Sequence, residues 1–114
     1  MDKLIVNKVE LLLDATDADV LQTLQEALPA CIAKCGKIKD EQCAELDKIR
    51  KMCAAVRDCF DAVFGDGTAA KVIKHPNSLD ECVAAFQQLN SQLQLLTKKA
   101  ASAAKAAVKA AEKA

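Results

Sequence analysis

The stretch LDKIRKMCAAVRDCFDAVFGDG, residues 46–67, has the most regular pattern in the 114-residue chain. Its apolar residues recur at intervals of three and four, which places them on one face of an α-helix. Asp40 precedes the stretch as a candidate N-cap, and Gly65 and Gly67 follow it as a tight turn. The pattern predicts a helix between Asp40 and Gly65 whose buried face consists of Leu46, Ile49, Cys53, Val56, Phe60 and Val63.

A second helical pattern lies before this stretch. Thr16 is a candidate N-cap, and Gly36 suits the position just beyond the C-terminal end. Pro29 lies inside the pattern, where it removes a backbone hydrogen bond at a cost of about 3 kcal/mol in a regular helix. We therefore expect either a kink at Pro29 or two short helices. The apolar face consists of Leu21, Leu24, Leu28, Cys31 and Cys35.

The last third of the chain predicts a long helix. Ser78 and Glu81 match the capping box, and apolar residues follow at helical spacing. Continued through the alanines that come next, the pattern predicts one helix over residues 79–113, about 50 Å long at 1.5 Å per residue. Thr68 is a candidate N-cap of a short preceding helix that runs through Lys74. The long helix contributes Phe86, Leu89 and Leu93 to the predicted core.

The N-terminal segment LIVNKVELLL, residues 4–13, consists of two apolar runs separated by Asn7 and Lys8. Two such runs around a two-residue turn predict a β-hairpin. Lys8 argues against it, because a type I′ turn favours Gly at that position. A single strand, or the start of a helix, remains an open alternative.

The amino-acid composition agrees with a bundle of helices. Hydrophobic residues make up 52% of the chain and aromatic residues 3%, with neither Trp nor Tyr. A core of Leu, Val, Ile, Ala and Cys suits helices packed on helices, whereas a base-stacking surface would need exposed aromatic residues. We predict a mainly α fold: three to four helices with a short N-terminal β-hairpin or strand and a long C-terminal helix. Residues 1–97 form the helical domain, with its β element in residues 1–14, and residues 98–114 form a basic helical tail.

Charge is unevenly distributed, although the formal net charge is zero. Residues 98–114 contain five Lys and one Glu, a net charge of +4, and residues 1–97 contain eleven basic and fifteen acidic residues, a net charge of −4. An acidic body with a basic tail favours head-to-tail contacts. The N-terminal sequence lacks the basic start of a signal peptide, and no segment approaches transmembrane length. We expect a cytoplasmic protein that does not enter a membrane.

Six cysteines and one histidine are the candidates for reactive chemistry. Cys31 and Cys35 are spaced i, i+4 and could both reach a metal, but no familiar spacing completes a four-ligand zinc site. Most cysteines lie on or beside the apolar faces, where thiols pack as small hydrophobes; metal binding and a disulfide are the alternatives. His75 is interpreted as a loop residue, and the GDGT sequence at residues 65–68 lacks the ligand density of a calcium loop. We predict no catalytic residue, metal, cofactor or small-molecule substrate.

The tail KKAASAAKAAVKAAEKA, residues 98–114, is the remaining candidate site. Alanine and lysine are strong helix formers, so the segment can be helical without tertiary support. Lysines along one face can engage phosphates, while the Ala and Val side is too weakly apolar for firm membrane insertion. Three interpretations of the tail remain: a solvated helix, a protein-binding surface and a nucleic-acid contact. The candidate contact residues are Lys98, Lys105, Lys109, Lys113 and Val108.

Two stretches, MDKLIVNKVELLLDATDADV at the N-terminus and CFDAVFGDGTAAKVI at residues 59–73, resemble a family of small phage and prophage proteins of Gram-positive bacteria. These proteins belong to the tail-morphogenesis region and are similar to tail assembly chaperones. The resemblance covers roughly residues 1–90 and is strongest at the LIVN-x-VEL start, the D-x-x-DADV helix entry and the FDxxFGxGT helix end. The chain departs from the family pattern at Lys8, where relatives have Gly, and at Pro29 and the cysteines. Its Ala/Lys tail also replaces an ending rich in Arg and Asn.

The resemblance implies a non-enzymatic role in the cytoplasm of a bacterial host. Tail assembly chaperones bind the long helical tape-measure protein before the tail tube polymerises around it, and small helical proteins can cover an apolar stripe by helix-in-groove contacts. On this interpretation Phe60 and Val63 belong to the core, Phe64 is the better contact candidate, and Gly65 and Gly67 set the turn geometry. The alternatives are a self-assembling virion or head–tail protein, and a small nucleic-acid-associated protein that uses the tail.

Overall fold

The computed structural model describes the backbone of residues 2–113 and the side chains of residues 2–111. Within these residues the fold is mainly α, with four helices, an antiparallel N-terminal hairpin and a long C-terminal helix, which confirms the predicted fold class. The elements are β1 (Asp2–Val6), β2 (Val9–Leu13), α1 (Ala18–Lys39), α2 (Glu45–Phe64), α3 (Thr68–Val72) and α4 (Leu79–Lys113).

The N-terminal segment forms the hairpin rather than a single strand or a helix. β1 and β2 pair with Val6 opposite Val9. Asn7 (φ 49°) and Lys8 (φ 67°) both have positive φ, as a type I′ turn requires. The Asn7 side chain holds the turn against α3, because its Nδ2 donates to the Val72 carbonyl at 3.1 Å. The inward face of the hairpin consists of Leu4, Val6, Leu11 and Leu13, all buried.

The N-cap of α1 is Asp17, so the prediction of Thr16 is wrong. The Asp17 carboxylate accepts hydrogen bonds from the N–H of Asp19 at 2.9 Å and of Val20 at 3.4 Å. The Thr16 hydroxyl instead donates to Asp14 Oδ1 at 2.7 Å. The helix therefore begins one residue later than predicted.

α1 continues as one helix through Pro29 and Gly36. The predictions of two short helices and of an end at Gly36 are therefore wrong. The apolar face continues past Gly36 to the buried side chain of Ile38, and packing of this face on α2 stabilises a helix that local propensity alone would interrupt. The last turn contains Lys37 and Lys39, whose charges complement the negative end of the helix dipole.

α2 begins at Glu45, so the predicted cap at Asp40 is also wrong: Asp40 lies at the C-terminal end of α1. The prediction that Leu46 belongs to the core is wrong as well, because its side chain is 59% exposed. Leu46 lies on nearly the same side of α2 as Cys53, seven residues later, but the buried residues of α2 begin only at Cys53, two turns beyond Leu46.

The corner between α2 and α3 depends on two glycines in left-handed conformations, Gly65 (φ 107°) and Gly67 (φ 91°). Gly67 is the N-cap of α3, which corrects the prediction of Thr68. The Thr68 hydroxyl instead donates to the Gly65 carbonyl at 2.8 Å. Asp61 ties α3 back to α2, because its carboxylate accepts the N–H of Ala69 at 3.0 Å.

Half of the predicted capping box forms at the start of α4. Ser78 Oγ accepts the N–H of Glu81 at 3.4 Å. The Glu81 carboxylate does not return this bond to Ser78; it accepts the N–H of Lys74 at 3.2 Å and pairs with the ring of His75. His75 is thus held against the first turn of α4.

The core lies between the hairpin and the three long helices. Phe60 and Leu89 have no exposed surface. Of the predicted core residues, Cys53, Val56, Phe60 and Leu89 are buried, and Ile49, Val63, Phe86 and Leu93 are partly buried against them. All six cysteines are free thiols, and Cys31, Cys53, Cys59 and Cys82 are buried.

Candidate interaction surface

Two glutamines of α4 join that helix to the hairpin. Gln92 Oε1 accepts the N–H of Ile5 at 3.0 Å, and Gln92 Nε2 donates to the Ile5 carbonyl at 2.9 Å. One turn earlier, Gln88 makes a matching pair with Asn7: Oε1 accepts the Asn7 N–H at 2.8 Å and Nε2 donates to Asn7 Oδ1 at 2.9 Å. Side-chain amides thus occupy the outer edge of β1 where another strand could pair.

A charged contact follows further along α4. Lys99 Nζ pairs with the Asp2 carboxylate, whose second oxygen accepts the N–H of Ala15 at 3.1 Å. The Lys99 hydrogen bond, with help from the Ala15 N–H, holds the pKa of Asp2 below its ordinary value. Lys99 therefore links α4 to β1.

Beyond Lys99 the helix leaves the bundle. Every side chain from Ala101 to Ala111 is exposed, a length of about 16 Å at 1.5 Å per residue. Val108 is 58% exposed. The molecule is correspondingly elongated, with dimensions of 63 × 27 × 20 Å. We call residues 101–111 the projecting segment.

The projecting segment has one charged face and one apolar face. Lys105 and Lys109 are exposed on one, and Val108 lies with small alanines on the other. Lys98, also predicted as a contact residue, is exposed just before the segment. The predicted contact at Lys113 lies outside the described side chains. Because alanine allows close backbone approach and lysine supplies charge on a flexible stem, this surface can hold a second helix with acidic flanks.

Phe64, the other predicted contact residue, lies at the C-terminal end of α2. Its ring stacks on Phe60 with the centroids 6.3 Å apart, and it is half-buried against the core. The side chains of the projecting segment are all exposed and pack on no part of the described core. The structure therefore places the predicted contact residues in two separate regions.

A family model described as a family of unknown function, DUF6673, matches residues 7–113. The chain belongs to this family. Comparison with curated proteins and with solved structures finds no match. The DUF6673 match covers the hairpin turn, all four helices of the described chain and the projecting segment.

Other exposed apolar residues of this DUF6673 chain were not predicted from the sequence. Leu95 of α4 is 65% exposed, next to the buried Leu96. Consecutive residues differ by about 100° around a helix, so a pair of leucines was itself a signal that one faces outward. Ile32 lines a groove of about 420 Å³ between α1 and α4, together with Pro29 and Leu93.

Within residues 2–111, no three His, Cys, Asp or Glu side chains are grouped so that they could hold a metal ion. In the same part of the chain, no helix combines the length and the apolar character that are needed to cross a bilayer.

Proposed function

We propose that the protein is a tail assembly chaperone of a phage, which binds the tape-measure protein through the projecting segment of α4. The observation that carries the proposal is that α4 is anchored to the hairpin at Lys99 and then continues as a helix with every side chain exposed from Ala101 to Ala111. The segment continues the helix of the bundle and consists of strong helix formers, so it presents a preformed helical surface on which no described residue packs. A partner that covers it would stabilise it.

The chemistry of the segment specifies the kind of partner. Val108 and the alanines form a shallow apolar face, which fits the apolar stripe of another helix at close range. Residues 98–114 carry a net charge of +4, which favours a partner with acidic residues beside its stripe. A tape-measure protein exposes long amphipathic helix, and the resemblance of the hairpin and the α2–α3 corner to phage tail-module proteins supports this choice.

Co-expression with the tape-measure protein encoded in the same genome tests the proposal. We expect a soluble complex that forms with the wild-type chain and fails to form with Val108→Asp. Ser102→Asp is the matched control, because it introduces the same charge into the same exposed helix about 120° away around the axis. Equal binding by both variants, or a tape-measure protein that is soluble without this chain, would contradict the proposal.

Self-assembly is a second candidate function, favoured by the charge distribution. The body carries a net charge of −4 and the tail +4, so the tail of one copy can contact the body of the next in a head-to-tail arrangement, which forms rings or filaments. Measurement of the size of the isolated protein at increasing concentration should show larger assemblies, and added salt should dissociate them.

DNA binding with a steep salt dependence, lost on deletion of residues 98–114, would instead indicate nucleic-acid association.

A further inference from the structure

The backbone groups of the hairpin alternate in direction along each strand. The two-residue turn makes Val6 and Val9 a hydrogen-bonded pair. The N–H and carbonyl of the next pair, Ile5 and Glu10, therefore point away from each other, toward the two outer edges. Gln92 agrees with this alternation, because it bonds both outward groups of Ile5.

The outer edge of β2 is open. By the same alternation, the N–H and carbonyl of Glu10 and of Leu12 point outward from this strand. Among residues 2–111, no hydrogen bond from outside the hairpin reaches these groups. An edge with unpaired donors and acceptors is a template for another strand. Gln88 and Gln92 occupy the opposite edge, along β1, so β2 is where the hairpin can be extended.

The side chains beside the open edge also suit pairing. Leu12 is 56% exposed on the outer face of the hairpin, and Ile5, its diagonal neighbour on β1, is 60% exposed. Glu10 is the one charged residue of β2, and Lys3 Nζ lies 3.4 Å from its Oε1 across the strands. The edge is thus apolar and locally neutral, whereas strand edges that avoid pairing carry uncompensated charge.

The strand β2 is complementary to a second copy of itself. In an antiparallel pairing centred on Leu11, Glu10 exchanges both backbone bonds with Leu12 of the second copy, and Leu12 does the same with Glu10. The neighbouring registers, centred on Glu10 or on Leu12, form only one such pair within the strands. They also place Glu10 opposite Glu10 or opposite Asp14 of the other copy, and like charges directly opposite are destabilising. Hydrogen bonding and charge therefore select the same register.

We propose that β2 of two copies pairs about Leu11, so that the two hairpins form one four-stranded antiparallel sheet. A sheet of this size has the independent stability that a two-stranded hairpin lacks. The two Leu12 side chains become diagonal neighbours on its outer face, about 7–8 Å apart. Because α4 lies along the β1 edges, the sheet closes at two copies related by a two-fold axis. The interface does not include the projecting segment, so the dimer presents two such segments.

Amide hydrogen exchange of the wild-type protein, measured by NMR below and above the concentration at which it dimerises, tests the proposal. We expect exchange at Glu10 and Leu12 to slow at least about tenfold in the dimer, because their N–H groups gain partners there. Leu11, which is bonded to Leu4 within the hairpin, should exchange slowly at both concentrations. A protein that stays monomeric at the concentrations NMR uses would overturn the proposal. A dimer in which Glu10 and Leu12 exchange as fast as in the monomer would also overturn it.

A mixed sample of isotope-labelled and unlabelled protein tests the register. The two Leu11 residues form a non-hydrogen-bonded pair, with Cα atoms about 4.5 Å apart. We therefore expect an isotope-filtered NOE between the Leu11 Cα protons of the two copies. An NOE between the Cα protons of Leu11 and Leu13 instead would indicate the register centred on Leu12 and would overturn the pairing about Leu11.

Leu12→Pro separates backbone pairing from side-chain contact. It removes an outward N–H that the β1–β2 ladder does not use, and proline is tolerated at such edge positions. Leu12→Ala is the matched control, because it removes the side chain and keeps the N–H. In analytical ultracentrifugation we expect Leu12→Pro to weaken dimerisation about tenfold more than Leu12→Ala does, with the helical circular dichroism of wild type retained in both. Equal weakening would assign the association to the leucine side chain and overturn strand pairing.

Neutralising the projecting segment distinguishes this dimer from a head-to-tail assembly. Lys105→Gln with Lys109→Gln should leave the dimer unchanged, since neither lysine belongs to the β2 interface. Loss of association in this variant would assign it to the contact between tail and body and overturn the proposal. All of these measurements use the isolated protein, so their outcome is independent of whether the chain binds a tape-measure protein.

Discussion

The side-chain amide of Gln92 bonds both backbone groups of Ile5: its Oε1 accepts the Ile5 N–H at 3.0 Å, and its Nε2 donates to the Ile5 carbonyl at 2.9 Å. A single side chain thus takes the place of a neighbouring strand along β1. A two-stranded hairpin is marginally stable in water on its own. The bond pair therefore connects the stability of the hairpin to the presence of α4.

Gln92→Ala is expected to lower the free energy of unfolding by about 1–2 kcal/mol, since it removes two hydrogen bonds to backbone groups. Gln94→Ala is the matched control, because Gln94 is exposed on the same helix and gains the same helix propensity. Urea unfolding followed by circular dichroism measures both. Equal stabilities would show that water replaces the Gln92 bonds without loss.

Phe60→Ala is expected to destabilise the protein by about 3–5 kcal/mol, because the side chain has no exposed surface and its removal leaves a cavity. Leu46→Ala should change stability by less than about 0.5 kcal/mol, since Leu46 is largely exposed. The same unfolding experiment compares the two. A large effect at Leu46 would mean that the face predicted from the sequence is buried in solution.

Lys8→Gly is expected to stabilise the protein by about 1 kcal/mol, because Lys8 has a φ of 67° and an L-residue is strained in the left-handed region. Lys8→Ala removes the same side chain but keeps the Cβ, so it should show no such gain. Thermal unfolding of the two variants separates backbone strain from the lysine charge. A gain with both variants would assign the effect to charge.

The Asp2–Lys99 contact predicts a pH dependence. The pKa of Asp2 is lowered in the folded protein, chiefly by the Lys99 hydrogen bond, so the unfolded chain binds this proton more readily. The contribution of Asp2 to stability is therefore present above its ordinary value of 3.8 and is lost as the pH falls through the lowered folded value. Unfolding of wild type and Asp2→Asn should differ at neutral pH and converge below that window. A stability difference between wild type and Asp2→Asn that does not depend on pH would contradict the role of the Asp2–Lys99 contact. The same difference in a Lys99→Gln background would also contradict it.

The sequence by itself determined the secondary structure types and most of the buried face. Apolar residues at intervals of three and four place Cys53, Val56 and Phe60 on one side of a helix, wherever that helix packs, because the periodicity is a property of helical geometry. For residues 4–13 the sequence predicted a hairpin but left a single strand or a helix start open, because a type I′ turn disfavours Lys8.

The tertiary structure alone decided the helix boundaries and the surfaces available for contact. Both Thr16 and Asp17 are suitable N-cap residues by type, and the structure shows that Asp17 caps α1. Leu46 is exposed because it lies in the first turn of α2, two turns before the first fully buried residue, Cys53. The Gln92–Ile5 and Lys99–Asp2 contacts join residues that are distant in the chain, and no local spacing indicates such pairs. Sequence periodicity specifies a direction around each helix axis, whereas the partner in that direction is set by how the helices pack.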